Sequence, residues 1–552
     1  MKSAVVVLVT VLSARACCQD EPQGRYYSPP PPQSTPLPTF AGSRDLLPSP
    51  VYDENPLWVA TYWKAWELAF HNFHSPAPGS GYVAQFIDAA FNKNIFLWDT
   101  AFMSMFCNVA AGLVPGIGSL DNFYVKQHIT GELCREIDRT TGVDFAPWIN
   151  SQRKPLFSAW GFNTAQRPVA IRYVGRTPPD PPPALTLDAL NNPVPLWAEL
   201  ESFAFTGDRA RLARIREPLV RYYRALQAYL QQGNGLYVTD WASMDNSPRN
   251  PFLYGGGQGV DISAQMAMFG RQLGSLDSIL GVPGSGKEWT READALAGRI
   301  NGLMWNDTAG FYFDLAVDGR QVPVKTVAAF WTLLGGVAST RQAARLVEEL
   351  RNPATFNRVH PVPSCAADAD GYVPQGGYWR GAVWPSTNTM VIRGLQRYGY
   401  EVLAREIALT HVAIVADVCR QTGTIWENYA PDARQPGKHE NGDPVVRDMV
   451  GWSGIGPILY FMEFAVGLRP DAPAHRLYWI ITSSRRSGCL RYRFNGRIVS
   501  LIAVPADDGR EVTLTLDADG PFELCASYGG TTQTFPVPRG LSLFRLRSAG
   551  SP

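Results

Sequence analysis

The chain has 552 residues, with 50 basic and 49 acidic side chains and a formal net charge of +1. That balance argues against a general nucleic-acid binder and against a polybasic membrane-surface protein, since both need clustered positive charge. Sixteen Trp, 22 Tyr, 26 Phe and a hydrophobic share of 45% exclude disorder throughout and supply a large core.

The first segment reads as a targeting signal. Lys2 is followed by an apolar run over residues 4–12 and by Ala14-Arg15-Ala16, an A-x-A cleavage site. Residues 1–16 are therefore expected to be removed, and the mature chain to be secreted or periplasmic. No other stretch approaches about 20 uncharged apolar residues, so no membrane span is expected. Residues 17–52 are rich in Pro and Ser and read as an extended linker that does not pack. Eight cysteines follow the cleavage site. They show no C-x-x-C and no Cys/His cluster of zinc spacing, so no metal or other cofactor is expected. Cys489 and Cys525 lie in one small module and form the candidate disulfide, weighed equally against buried free thiols.

From residue 53 to 470 the pattern is helical. Trp58, Tyr62, Trp66, Phe70 and Phe73 recur at spacings of three and four, giving one broad apolar face. Further helices are expected near 193–206, 210–231, 261–280, 289–305, 325–337, 340–351, 384–398, 402–419 and 454–467. Paired helices joined by long loops rich in Gly, Pro, Asp and Trp suggest an all-α toroid of α/α pairs, with an inner ring wrapped by an outer one and a funnel of loops at one end. Residues 471–552 differ. Short β-branched and aromatic runs between Gly, Asn and Asp turns predict about six strands in a small antiparallel, sandwich-like C-terminal β domain.

Four loops place charged residues among aromatic ones. In the first, Asp99 stands between Trp98 and Phe102, as a helix N-cap or as a site carboxylate. The second, residues 240–249, offers Asp245 in a turn. It is either the acceptor of an Asx-turn near Ser247 or a carboxyl group kept protonated by apolar surroundings. The third, residues 376–385, sets Arg380 among Tyr378, Trp379 and Trp384, as a clamp or as a buried ion-pair partner. The fourth holds Glu427 between Trp426 and Tyr429. Two carboxyl groups on separate loops of one toroid mouth are what glycoside hydrolysis requires: one protonates the leaving oxygen, the other acts at the anomeric carbon. Sugar faces pack on aromatic rings, which suits the Trp content.

The motifs FLWDTAF, SMDNSPR, GGYWRGAVWPSTN and WENY followed by GWSG resemble those of glycoside hydrolase family 63 and of the related mannosylglycerate and glucosylglycerate hydrolases. The resemblance covers residues 55–468. It implies an (α/α)6 barrel, hydrolysis of α-glycosides with inversion, and no redox cofactor. Matched position by position, Asp245 is the general acid and Glu427 the general base. Trp98 and Asp99 match residues that hold the nonreducing sugar. Gln166 matches the glutamine of a T-Q-P-P loop, with Arg167 in place of a proline. Tyr378, Trp379, Arg380 and Trp384 match the pocket wall, with Trp426, Tyr429 and Trp452 beside it. The expected partner is a carbohydrate substrate, whose sugar and aglycone the sequence leaves open, as it does the oligomeric state. The competing readings are a noncatalytic sugar-binding toroid and a polysaccharide lyase on a similar toroid.

Overall fold

The computed structural model describes residues 24–31, 35–89, 92–144, 192–239 and 244–549, together with the backbone pair 149–150 and 184–185. The expected signal segment and Gln166 lie outside the described residues.

The helical part follows the apolar periodicity closely. Helix α1 (Pro56–His71) starts on a proline, whose missing N–H costs nothing in a first turn. Helix α2 spans Leu97–Cys107, and α3 spans Pro195–Thr206 and stops at Gly207, whose φ of 66° suits glycine. Helix α4 (Arg209–Leu230) is capped by Asp208, which accepts the Arg211 N–H at 2.8 Å. Helices α5 (Val260–Leu280) and α6 (Ser285–Leu303) form a tight pair. A 3₁₀ turn leads into the short α7 (Trp331–Leu334), and α8 (Thr340–Arg351) begins with a capping box between Ser339 and Gln342. Helices α9 (Pro385–Arg397) and α10 (Glu401–Thr422) precede a π-helical segment, Ile455–Val466.

These helices form two layers. Every residue of α2 and of Ile455–Val466 is buried, so neither has a solvent face. Helix α2 packs on α3, α3 on α5, α5 on α7, α7 on α9, α9 on Ile455–Val466, and that segment returns to α2. The others lie outside this circuit: α1 against α10 and Ile455–Val466, α4 and α6 against α5, and α10 against α9. Among the described residues no helix is long and apolar enough to cross a membrane.

The strands fall mainly in the C-terminal part. In chain order β1 is Ser49–Tyr52, β2 Asn94–Phe96 and β3 Glu136–Asp138. Next come β4 Leu468–Asp471, β5 Arg476–Ile481, β6 Ser487–Phe494 and β7 Arg497–Pro505. The last four are β8 Glu511–Ala518, β9 Phe522–Tyr528, β10 Thr531–Val537 and β11 Gly540–Arg547. One sheet has the order β1-β6-β7-β8-β11, the other β4-β5-β9-β10. Their pairings are antiparallel except β5 with β9, which run parallel, so the module is richer than the six antiparallel strands expected.

The segment read as a free linker is packed. Tyr27 lies with its ring 5.3 Å from that of Tyr124, Leu47 is fully buried, and Tyr62 donates its hydroxyl to the Pro48 carbonyl at 2.6 Å. Strand β1 then pairs with β6, from Ser49 opposite Leu490 to Tyr52 opposite Ser487. Pro50 concealed this strand, but β1 is an edge strand, where a residue without an N–H is tolerated. The expected Cys489–Cys525 disulfide is not formed. Both thiols are free, because β6 and β9 belong to different sheets and Cys525 faces outward.

Candidate active site

The site is assembled from the ends of several helices and the loops that precede them. Asp99 sits in the first turn of α2. The N-cap position belongs to Phe96, which makes no side-chain cap, so Asp99 does not serve that role. Its carboxyl group is 4% exposed, and Oδ1 has no hydrogen-bond partner. Burial first, and the neighbouring Asp88 second, push its pKa well above the usual carboxylate range. Trp98, next in sequence, packs on Phe102 with ring centres 4.8 Å apart and on Trp331 of α7 at 6.2 Å. Trp197 of α3 meets Trp331 at 5.8 Å, so inner helices supply a continuous aromatic wall.

Asp245 is held on a braced turn. Ser247 N–H bonds the Met244 carbonyl, and Asn250 Nδ2 donates to the carbonyls of Met244 and Asp245 at 2.7 and 3.1 Å. Arg249, with no exposed surface, anchors the turn from below by ion pairs to Asp261 and Asp314. The Asx-turn alternative fails, since the N–H of Ser247 goes to a carbonyl and not to the Asp245 side chain. Burial raises the Asp245 pKa to about 6, against the opposing pull of Arg135. Asn246 reaches across: its Nδ2 donates to the Gly377 carbonyl at 3.0 Å, and its Oδ1 accepts the Trp379 N–H at 2.8 Å.

The loop so gripped carries Tyr378. Gly377 and Tyr378 have φ of 52° and 63°, a conformation that a tyrosine adopts at a cost of about 1–3 kcal/mol. It turns the phenol onto Glu427, whose Oε1 accepts the hydroxyl at 3.0 Å, while Oε2 accepts the Val446 N–H at 3.2 Å. Burial, set against these two hydrogen bonds, raises the Glu427 pKa to about 7. The Glu427 carbonyl is fixed in turn by Trp452 Nε1 at 2.8 Å and by Ser453 Oγ at 3.1 Å. That explains locally why WENY is followed by GWSG. Trp379 stacks on Trp384 at 4.2 Å with planes 6° apart, and Trp452 packs on Trp384 at 5.6 Å. The Tyr378 hydroxyl is itself held protonated by burial and then by the charges of Glu427, Asp245 and Asp99.

The structure therefore brings Trp98, Asp99, Asp245, Tyr378, Trp379, Trp384, Glu427 and Trp452 together. It separates three other expected residues from them. Arg380 pairs with Glu440 at 2.6 Å and donates Nε to the Gly371 carbonyl at 2.8 Å, so its fork is turned away from the acids. Trp426 packs against Ile414, Val415 and Val418 of α10, and Tyr429 lies over the buried His360 and His411. Both contribute to the outer packing of the loop. Arg135 favours the charged form of Asp245 and so opposes the rise that burial produces there.

Sequence reasoning overlooked Arg135, Asn246 and Arg249. Arg135 acts on both Asp99 and Asp245. Its position follows from β3 pairing with β2, which leads directly into α2, and from its carbonyl accepting the Leu97 N–H at 2.9 Å.

Comparison with known proteins gives the same direction. Residues 186–441 match the family model described as the mannosylglycerate hydrolase MGH1-like glycoside hydrolase domain. An uncharacterized protein of Borreliella burgdorferi is 24% identical over 63% of this chain and 74% of its own length. A mannosylglycerate hydrolase of Thermus thermophilus is 35% identical, over 20% of this chain and 27% of its own. Among solved structures, the GH63 mannosylglycerate hydrolase from Thermus thermophilus in complex with glucose superposes with a TM-score of 0.52 at 21% identity. It covers 72% of this chain and 98% of that one, a likeness of fold.

Proposed function

Since residues 186–441 match the mannosylglycerate hydrolase MGH1-like glycoside hydrolase domain, we propose that the chain is an inverting α-glycosidase acting on an α-linked glucoside or mannoside of the oligosaccharide or glycosylglycerate type. The catalytic part is read as an (α/α)6 toroid, a reading supported by the closed circuit of buried helical segments. We also propose export, on the signal read in residues 1–16.

One observation carries the proposal. The Tyr378 hydroxyl donates to Glu427 Oε1 at 3.0 Å, and Asp245 and Asp99, from two other segments, lie close enough for their charges to reach the same hydroxyl. Water would solvate three isolated surface acids, whereas here burial raises all three pKa values. Such a buried cluster beside packed aromatic rings is the arrangement expected of acid–base chemistry.

In the proposed reaction Asp245, as the carboxylic acid, protonates the glycosidic oxygen while the bond from that oxygen to the anomeric carbon breaks. Glu427, as the carboxylate, takes a proton from a water that attacks the same carbon from the opposite face. Burial holds both carboxyl groups above the usual carboxylate range, and substrate decides which keeps the proton. The glycosidic oxygen accepts a hydrogen bond and so favours protonated Asp245; the water donates one and favours ionised Glu427. Asp99 binds a sugar hydroxyl through Oδ1, and Tyr378 steadies the base.

The test is a panel of α-mannosyl and α-glucosyl glycerates, disaccharides and glycan fragments, followed by proton NMR. A β-anomer should appear first, and Asp245→Asn and Glu427→Gln should each abolish nearly all turnover. An α-anomer as the first product rules out inversion. Wild-type turnover retained in either variant rules out the assigned pair.

A further inference from the structure

Outside the acidic pocket, three side chains from the segment 128–144, on either side of β3, converge. His128, Cys134 and Asp144 each aim one donor atom at the others, and these atoms all lie within 4.8 Å of one another. His128 Nε2 meets Asp144 Oδ2 at 2.6 Å, and Cys134 Sγ lies 3.9 Å from the same nitrogen. Five residues separate the first pair and nine the second, a spacing that matches no zinc motif; the fold closes the cluster.

We propose that His128, Cys134 and Asp144 form a binding site for a divalent transition metal of borderline softness, Zn²⁺ being the type, and that the ion fixes the loop carrying Arg135.

The donor set is the first argument. An imidazole nitrogen, a sulfur and a carboxylate oxygen suit Zn²⁺ and its neighbours, whereas Mg²⁺ and Ca²⁺ take oxygen. Geometry is the second. Tetrahedral donors at about 2.3 Å (sulfur) and about 2.0 Å (nitrogen) stand about 3.6 Å apart, close to the 3.9 Å found between Cys134 and His128. The His128–Asp144 contact must open from 2.6 Å to about 3.3 Å as the ion enters. Charge is the third. A thiolate and a carboxylate together match the charge of a dication.

A hydrolytic Cys-His-Asp relay does not fit these atoms. Such a relay uses the two opposite ring nitrogens, one toward the thiol and one toward the carboxylate. Here both partners lie on Nε2. The Cys134 thiol donates to the Lys126 carbonyl at 3.4 Å. Metal binding forms the metal–sulfur bond, and the thiol proton leaves to solvent.

The consequence reaches the pocket. Cys134 immediately precedes Arg135, whose carbonyl holds the start of α2, and Asn94 in β2 donates to Glu136 at 2.9 Å. An ion at Cys134 therefore fixes the strand that positions the cation acting on Asp99 and Asp245. The site does not depend on the reaction assigned to that pocket.

The full chain, exposed to Zn²⁺ and then dialysed against metal-free buffer, should retain near-equimolar zinc by mass spectrometry. Loading with Co²⁺ should give a thiolate-to-cobalt charge-transfer band and the strong visible bands of a tetrahedral ion. Cys134→Ser should lose that band, and Asp144→Asn should bind Zn²⁺ about tenfold or more weakly. Cys525→Ser, which alters a partly exposed thiol elsewhere, should bind as wild type does. The proposal is overturned if wild type retains no zinc and shows no cobalt band, or if Cys134→Ser holds as much metal as wild type. Should Cys134→Ser fail to fold, the wild-type cobalt spectrum and Asp144→Asn decide the question.

Discussion

The backbone N–H of Trp379 ends on Oδ1 of Asn246, 2.8 Å away, so the loop that carries the acid and the loop that aims Tyr378 at the base are joined through one amide side chain. Asn246 touches neither reacting bond in the proposed mechanism. Replacing it by Ala removes both of its links to the 376–385 loop. Misplacing catalytic groups by about 1 Å costs on the order of 10²-fold. Asn246→Ala should therefore lower kcat by about 10–100-fold while the fold persists by circular dichroism. Unchanged kcat would show that the two loops keep their spacing without this tie.

The pH dependence of stability has a definite sign. Glu427 titrates at about 7 in the folded chain against 4.5 for a free side chain. Between these values the native state binds more protons than the unfolded one, so stability falls as pH rises through that window and stays level above it. Glu427→Gln removes the burden of a buried charge. The variant should be more stable than wild type at pH 8, by up to about 3 kcal/mol, and should gain little at pH 4. Denaturant titrations at both values check this. A variant equally destabilised at both would show that the two hydrogen bonds to the carboxylate outweigh its desolvation.

Asp99 makes no cap and leaves Oδ1 without a partner. Asp99→Ala should leave thermal stability unchanged or raised, because a desolvated carboxyl is removed. Activity should drop, with kcat/KM falling on the order of 10²-fold through loss of a buried hydrogen bond to the sugar. Steady-state kinetics beside a melting curve separate the two effects. A destabilised variant with wild-type kcat/KM would reject the binding role.

Arg380 gives the contrasting case. Its partners are Glu440 and the Gly371 carbonyl, at a half-exposed position. Arg380→Ala should change stability by less than about 1 kcal/mol and leave kcat/KM near the wild-type value. A large loss of kcat/KM would mean that Arg380 leaves Glu440 when substrate arrives.

The helices were legible in the sequence because their apolar residues recur every three or four positions and because glycines such as Gly207, Gly281 and Gly423 stop them in the left-handed region. Strands that keep a clean alternation, such as Glu511–Ala518, were legible too. Ser49–Tyr52, Leu468–Asp471 and Thr531–Val537 were not, since each contains a proline and the last alternates poorly. Charge embedded among aromatics singles out Asp99, Asp245 and Glu427, which the structure brings near one tyrosine. The same signal misplaced Trp426 and Tyr429, because neighbours on an extended loop point to different sides while adjacency in sequence suggests a shared pocket. Arg135 gave no such signal. The residues around it, Glu132 to Asp138, include no aromatic, and it reaches the pocket only through strand pairing.

The pairing of Ser49–Tyr52 with Ser487–Phe494 sets the order in which the molecule can be finished. During synthesis the first partner leaves the ribosome long before the second exists, so it has to wait with its backbone groups satisfied by water. The module at the far end of the chain, once made, has a bare margin until that early segment returns to it. Open margins of this kind recruit other chains. Shortening the protein to start at residue 53 would keep the helices from Pro56 onward in the chain and still expose Ser487–Phe494, so a cut near one terminus would show itself as aggregation through the other.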